Sequence, residues 1–464
     1  MVFDIVPHDI SCRYISGQYH WLLSHRYRSR DAREKCCDEY DHASSSRHRI
    51  LWRIHNIFGL RRRTLDARQQ RGVGYHSILP RFVCHCRDIP RWFRPNSGQV
   101  EETFGDIWRN WIISVNLQPE YILFVKMIKS VSMANYGPIK DLSVDRLGSI
   151  NLLIGPNRSG KTIFLKALYS ALRTVELFRR GKNIESDKEI LFRKLYWTFQ
   201  TDRIGSIVSR PEHGNLSFSM TEEDGGMFSY SFSSSAEKKI VNVINTCGKR
   251  DSNSVFLPAK EVLSLLDTIV YDREVRQTFG FDDTYYDLAK ALTPTSKGKN
   301  VKIFSKMRGR LENAIDGKLT YIKEKGKWVF MQGGVPFDIA LTSEGTKKIA
   351  IFDTLLGNHF LSRSSSVFID EPEAGLHPSI LVELLDIVSM LAKAGMQFFI
   401  ASHSYFVIKK LYLLAQSESM YMPVISFGTD GEESGFTVGN LCEGMPGNPI
   451  IEESIRLYRE EMSL

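Results

Sequence analysis

An apolar run, Ile150 to Ile154, empties into Gly155-Pro156-Asn157-Arg158-Ser159-Gly160-Lys161-Thr162, and Leu165, Leu168 and Leu172 follow at spacings of three and four. No other feature of the 464 residues constrains the fold as tightly. A short buried strand, a glycine-rich turn and the stripe of a helix packed on a sheet open a βαβ unit, which predicts an α/β fold with helices on the faces of a sheet. The turn has the spacing of a phosphate-binding loop, whose glycines let backbone N–H groups curl round an anion at the positive end of a helix. In that pattern Lys161 reaches the outer phosphates and Thr162 offers its hydroxyl to Mg2+, while Gly155, Pro156, Asn157, Arg158, Ser159 and Gly160 form the cradle.

A second apolar run, Val367 to Ile369, ends in Asp370-Glu371-Pro372-Glu373, and a third, Phe398 to Ala401, ends in Ser402-His403-Ser404. Between them Leu381, Leu384, Leu385, Val388 and Leu391 mark a helix, so these runs read as buried parallel strands. Carboxylates at a strand end are ordinary alone. Beside a phosphate loop, Asp370 becomes the candidate for the Mg2+ shell, Glu371 the candidate to polarise an attacking water, and His403 a candidate sensor of a γ-phosphate. His377, between Leu376 and Pro378, reads first as a helix cap, the alternative being a residue facing a partner subunit. Leu341-Thr342-Ser343-Glu344-Gly345-Thr346-Lys347-Lys348 places Ser343 and Gly345 at another helix start, either a plain cap or a second anion site.

In this order the motifs resemble the ATP-binding-cassette family, in particular its branch containing RecF, the SMC proteins and the overcoming-lysogenisation-defect ATPases. The resemblance covers roughly residues 127–440. It implies an ABC-type ATPase head with a mixed sheet, an antiparallel β part and a helical insertion at about 175–340, followed by a helical tail over 441–464. It implies ATP and Mg2+ as cofactors, pairing of heads into a homodimer or higher oligomer, and Ser343 and Gly345 of one head contacting the ATP of the other. It also makes Gln200, in Tyr196-Trp197-Thr198-Phe199-Gln200, a candidate to watch the Mg2+; the alternative is a polar residue at a strand end. Thr-Ser-Glu-Gly-Thr departs from the transporters' Leu-Ser-Gly-Gly-Gln, and no long heptads interrupt the head, which argues against a transporter engine or an SMC arm. The 61 residues after His403 lack clustered metal carboxylates, so nuclease activity is expected from a partner. The expected role is the ATPase subunit of an anti-phage defence system with a separate nuclease or toxin effector. The alternatives are a RecF-like DNA-repair ATPase, using Lys297, Lys299, Lys302, Lys306, Arg308 and Arg310 on phosphates, and an ATP-bound scaffold holding a toxin.

Before Met127 the chain changes character. Residues 1–125 hold 19 of the 61 Lys and Arg, 18 of them arginine, with five of the seven Cys and eight of the twelve His, and show no sustained period. Residues 1–126 are therefore either a basic, irregular extension or upstream sequence with Met127 as the working start, and composition favours the second. Cys36, Cys37, Cys84, His85 and Cys86 lack the spacing of zinc ligands. The net charge of +8 is compatible with DNA but does not demand it. No stretch is apolar enough to span a membrane and no secretory pattern opens the chain, so a cytoplasmic protein is expected.

Overall fold

A computed structural model describes residues 10–15, 18–23, 126–210, 214–292, 302–322, 324, 327–428, 435–447 and 449–464. The chain divides into two units, Met1–Gln118 and Pro119–Leu464. In the first, β1 (Ile10–Ile15) and β2 (Gln18–Leu23) pair as an antiparallel hairpin. The other expectations for residues 1–125, the cysteines included, fall outside the described residues.

The second unit begins with β3 (Ile128–Tyr136), β4 (Ile139–Val144) and β5 (Ile150–Ile154), then helices α1 (Lys161–Leu177) and α2 (Asp187–Phe199). Next come β6 (Leu216–Glu222), β7 (Met227–Phe232), β8 (Asn242–Asn245) and β9 (Val255–Leu257), and helices α3 (Leu266–Tyr271), α4 (Asp283–Leu292) and α5 (Lys302–Ala314). A small group of β10 (Lys318–Ile322), β11 (Lys327–Gln332) and β12 (Val335–Asp338) leads into α6 (Glu344–Gly357). The chain then runs through β13 (Ser366–Asp370), α7 (Pro378–Lys393), β14 (Gln397–Ala401), α8 (Tyr405–Glu418), β15 (Pro423–Phe427), β16 (Phe436–Asn440) and α9 (Pro449–Glu461).

Six strands form the central sheet in the order β16-β15-β5-β14-β13-β9, all parallel except the edge strand β16. Every residue of β5, β9, β14 and β15 is buried, which explains their almost unbroken apolar sequences. Alternate residues serve two cores. Ile150, Leu152 and Ile154 join Ile369, Phe398 and the leucines of α7 on one face. Leu153, Phe368, Phe399 and Ile425 join Leu165, Leu168 and Leu172 of α1 on the other. That second core also takes the inner residues of an antiparallel sheet, β4-β3-β6-β7-β8, so α1 is held between two sheets. The fold is α/β with mixed and antiparallel sheets, as the sequence pattern implies. No helix among the described residues is long and apolar enough to cross a membrane.

Candidate nucleotide site

In an open parallel sheet the loops leaving the carboxyl ends of adjacent strands converge, and ligands bind there. Here β5, β14 and β13 are neighbours, so the phosphate loop, Ser402–Ser404 and Asp370–His377 leave one edge side by side. The loop needs its glycines. Gly155 has φ +143° and Gly160 φ +109°, and a Cβ on Gly155 would stand 2.6 Å from the carbonyl oxygen of Phe427. Arg158 takes a left-handed φ of +66° with its side chain exposed. Lys161 donates from Nζ to the carbonyls of Gly155 and Pro156, both at 2.7 Å. Burial lowers the pKa of this ammonium below the usual lysine value, against the pull of Asp370, Glu371 and Glu373.

Thr162, the second residue of α1, donates from Oγ1 to Oδ2 of Asp370 at 3.0 Å. Burial raises the Asp370 carboxyl above its ordinary range, opposed by that hydrogen bond and reinforced by the charge of Glu371. A hydroxyl and a carboxylate converging at the mouth of a phosphate cradle form an all-oxygen donor set, which suits Mg2+. Glu371 has φ +50°, uncommon for a residue with a Cβ, and is kept there by its N–H donating to Ala401 across the strands at 2.9 Å. Nδ1 of His403 lies 3.4 Å from Oε1 of Glu371 and 3.6 Å from Oε1 of Glu373. Oε1 of Glu373 accepts from Ser402 Oγ at 2.9 Å and from the His403 N–H at 3.1 Å. Its Oε2, like Oγ of Ser159, is buried without a hydrogen-bond partner among the described residues.

Ser343 is the N-cap of α6: its Oγ accepts from the Thr346 N–H at 3.2 Å and donates to Thr346 Oγ1 at 2.9 Å, so its hydrogen bonds stay in its own turn. Ser343 faces solvent, whereas Gly345 is buried, and a Cβ on Gly345 would collide with the carbonyl of Gly375. The start of α6 is thus pressed against the loop that follows Glu371. Lys348, one turn on, donates to the Glu371 carbonyl at 3.0 Å. Its buried ammonium is pushed below the usual lysine pKa by desolvation, opposed first by Glu373. Lys348 was not singled out by sequence; a lysine on the buried face of an otherwise apolar helix was the available signal.

Gln200 is the C-cap of α2 with φ +48°, not a strand end, and its Nε2 is buried without a hydrogen-bond partner among the described residues; no hydrogen bond ties it to Thr162 or Asp370. His377 caps α7 by accepting the Ser379 N–H on Nδ1. In the basic run, Lys297 and Lys299 and the side chain of Lys302 lie outside the described residues, while Arg308 pairs with Asp353 at 2.8 Å and Arg310 with Glu383 at 2.6 Å. Beside the phosphate loop is a cavity of about 240 Å³ that the motifs did not foretell, walled by Pro138, Ile139, Asp141, Phe427 and Phe436.

Among solved structures, the chain is similar to an SMC head bound to the C-terminal winged-helix domain of ScpA, at 12% identity over 68% of this chain and 98% of that one, TM-score 0.44. The SMC head domain from Thermotoga maritima matches at 11% identity over 68% and 98%, TM-score 0.37. Over 96 residues the chain is 30% identical to the DNA replication and repair protein RecF of Streptococcus agalactiae serotype V, which covers 21% of this chain and 24% of RecF. The serotype III protein gives the same figures. The chain thus spans about a quarter of the length of these curated relatives. Residues 286–409, holding Ser343, Gly345, Asp370, Glu371 and His403, match the family described as "AAA domain, putative AbiEii toxin, Type IV TA system". Over residues 286–409 the chain is thus similar to that ATPase-domain family, and over 96 residues it is similar to RecF.

Proposed function

We propose that the chain binds ATP with Mg2+ at this sheet edge, hydrolyses it, and works by the pairing of two heads. The observation that carries the reading is the convergence of Lys161, Thr162, Asp370, Glu371 and His403 on one edge while Ser343 looks outward. When bound, Mg2+ neutralises phosphate charge and orients the γ-phosphoryl group; Thr162 and Asp370 would hold it. Lys161 would exchange its two loop carbonyls for phosphate oxygens. The base would enter the cavity beside the loop, whose size suits a planar heterocycle more than a whole drug-sized ligand of roughly 300 Å³ or more. Glu371 would take a proton from the attacking water, His403 would hold that carboxylate and meet the γ-phosphate, and the unpartnered Nε2 of Gln200 would turn to the metal's water shell. Ser343 and Gly345 would cap the nucleotide of the partner head, with the free N–H groups and dipole of α6 facing its γ-phosphate.

The family description names a toxin and a toxin–antitoxin system, which supports a place in anti-phage defence with a separate nuclease or toxin as effector. The RecF match supports a second reading, a DNA-repair ATPase. Measuring ATPase rate against protein concentration for wild type, Lys161→Ala and Ser343→Arg, with and without duplex DNA, tests both. A more than linear rise in the wild type, lost in both variants, is the expected result. A linear rate indifferent to Ser343→Arg overturns head pairing, and strong stimulation by DNA favours the repair reading.

A further inference from the structure

Strand β9 pairs in parallel with β13, Leu257 opposite Ile369, so the chain leaves β9 on the same edge as the carboxylates, one strand beyond them. The residues that emerge are Pro258, Ala259, Lys260 and Glu261. This loop is fastened to α6 and not to the phosphate loop. Lys347, buried on α6, donates to Ser264 Oγ at 2.9 Å and reaches Oε1 of Glu261 at 3.5 Å, while Glu261 accepts the Ser264 N–H at 3.1 Å. The turn at 263–265 also packs beside the turn at 339–341 that runs into Ser343. Lys260 and Ser343 therefore sit on two turns that are fastened to each other.

Lys260 is exposed and makes no hydrogen bond or ion pair among the described residues. Three lysines near this edge are already engaged, while Arg158 of the phosphate loop is exposed. Lys161 holds two carbonyls, Lys166 pairs with Asp282 at 2.7 Å, and Lys348 holds the Glu371 carbonyl. A free ammonium carried by the same patch as an outward-facing helix N-terminus has the right company for an anion that comes from outside the head.

We infer that Lys260 is a catalytic cation acting in trans: in the paired state it donates to the γ-phosphate oxygens of the ATP bound to the partner head. The inference rests on the head-pairing reading. In the step it assists, the water oxygen bonds to the γ-phosphorus and the bond from that phosphorus to the β–γ bridging oxygen breaks, its electron pair leaving with ADP. The water proton passes to Glu371 of the head that holds the ATP. Lys260 keeps its protons throughout and offsets the negative charge on the transferred group, the office that an arginine supplied by a second protein performs in other phosphoryl-transfer enzymes.

The test is single-turnover phosphate release from full-length variants. Lys260→Ala alone is expected to slow release by at least about 100-fold with ATP affinity within about twofold of wild type, and Lys260→Arg to keep most of the rate. Lys260→Ala is then mixed with Glu371→Gln, so that in a mixed dimer the site with an intact Glu371 receives Lys260 from its partner. Release should return to about a quarter of the wild-type amplitude, since half of randomly paired dimers then hold one intact site of two. A parallel mixture of Ser343→Arg with Glu371→Gln reports on pairing itself. Recovery in both mixtures supports the inference. Recovery only with Ser343→Arg overturns the trans role of Lys260 and leaves head pairing standing, as does an unimpaired Lys260→Ala. Recovery in neither overturns this inference, and overturns head pairing as well if Glu371→Gln with ATP and Mg2+ does not sediment as a dimer.

Discussion

At the scale of single residues, Glu371 shows how the fold shapes a reactive group. Its left-handed φ is tolerated because three neighbours fix the peptide: the Ala401 carbonyl takes its N–H, Lys348 takes its carbonyl, and His403 stands at its carboxylate. Glu371→Gln keeps the shape and loses the proton acceptor, so hydrolysis should fall by about 10²–10⁴-fold with ATP affinity nearly unchanged, as steady-state rates beside equilibrium nucleotide binding will show. Retained turnover would remove Glu371 from the water-activating role. Gly345→Ala probes the close approach at Gly375. Forcing a methyl into that contact is expected to cost roughly 1–3 kcal/mol in urea unfolding, and to depress hydrolysis more than nucleotide binding because the carbonyl it meets belongs to the loop after Glu371. Most of these residues were legible as strings. What could not be read from the string is Lys348, because a side chain's bond to a carbonyl 23 residues away depends on how α6 lies against β13.

At the scale of elements, buried ion pairs fasten the pieces around the sheet. Arg250, on the loop before β9, pairs with Glu222 at the end of β6 at 2.6 Å, both side chains fully buried. Arg250→Met leaves a buried carboxylate alone and should cost about 3–5 kcal/mol by denaturant unfolding, much of it recovered in the double variant with Glu222→Gln. Burial holds the Glu222 carboxyl above its ordinary range, with Arg250 opposing. The folded chain thus keeps that proton to higher pH than the unfolded chain. The stability contributed by this group is fully present below the ordinary glutamate pKa and is lost as pH rises through the raised one. Unfolding midpoints of Glu222→Gln against wild type across that window should show the slope disappear. A second cluster joins α1, α2 and α4: Lys194 lies 2.7 Å from both Asp283 and Asp287, and Tyr169 donates to Asp287 at 2.7 Å. Lys194→Met leaves Asp283 with Arg273 at 3.1 Å and Asp287 with Tyr169 and with Arg173 at 3.7 Å, so it should destabilise by less, about 1–3 kcal/mol in the same assay. Strand and helix existence followed from periodicity. Tyr196–Phe199 did not, because four residues, three of them aromatic, have no period of their own; their place in the last turn of α2 goes with tilted and edge-on ring contacts to Phe279 and Tyr136.

At the scale of the whole molecule, the two cores on either face of the sheet keep the phosphate loop, the carboxylates and α6 in one frame, and head pairing predicts that nucleotide state is felt at the outward-facing start of α6. Glu371→Gln with ATP and Mg2+ is expected to sediment as a dimer and with ADP as a monomer, and adding Ser343→Arg should abolish the dimer. A species insensitive to nucleotide would overturn pairing. The paired arginines argue a further point. Arg308, offered by sequence as part of a phosphate-tracking run, is bound to Asp353 across two helices, so its loss should weaken stability before it alters any salt-dependent DNA affinity. By itself the sequence determined that three short apolar runs are buried parallel strands and that glycines, a lysine, a hydroxyl and carboxylates sit at their ends. Those are local matters, settled by period, chirality and turn chemistry. Only the tertiary structure decided the order of the strands, and hence which ends are neighbours and which lysines near them are spent on partners inside the head. Strand order and helix docking arise from contacts between residues distant in sequence, such as Ile150 with Phe398 and Leu152 with Val424, and no local pattern encodes them.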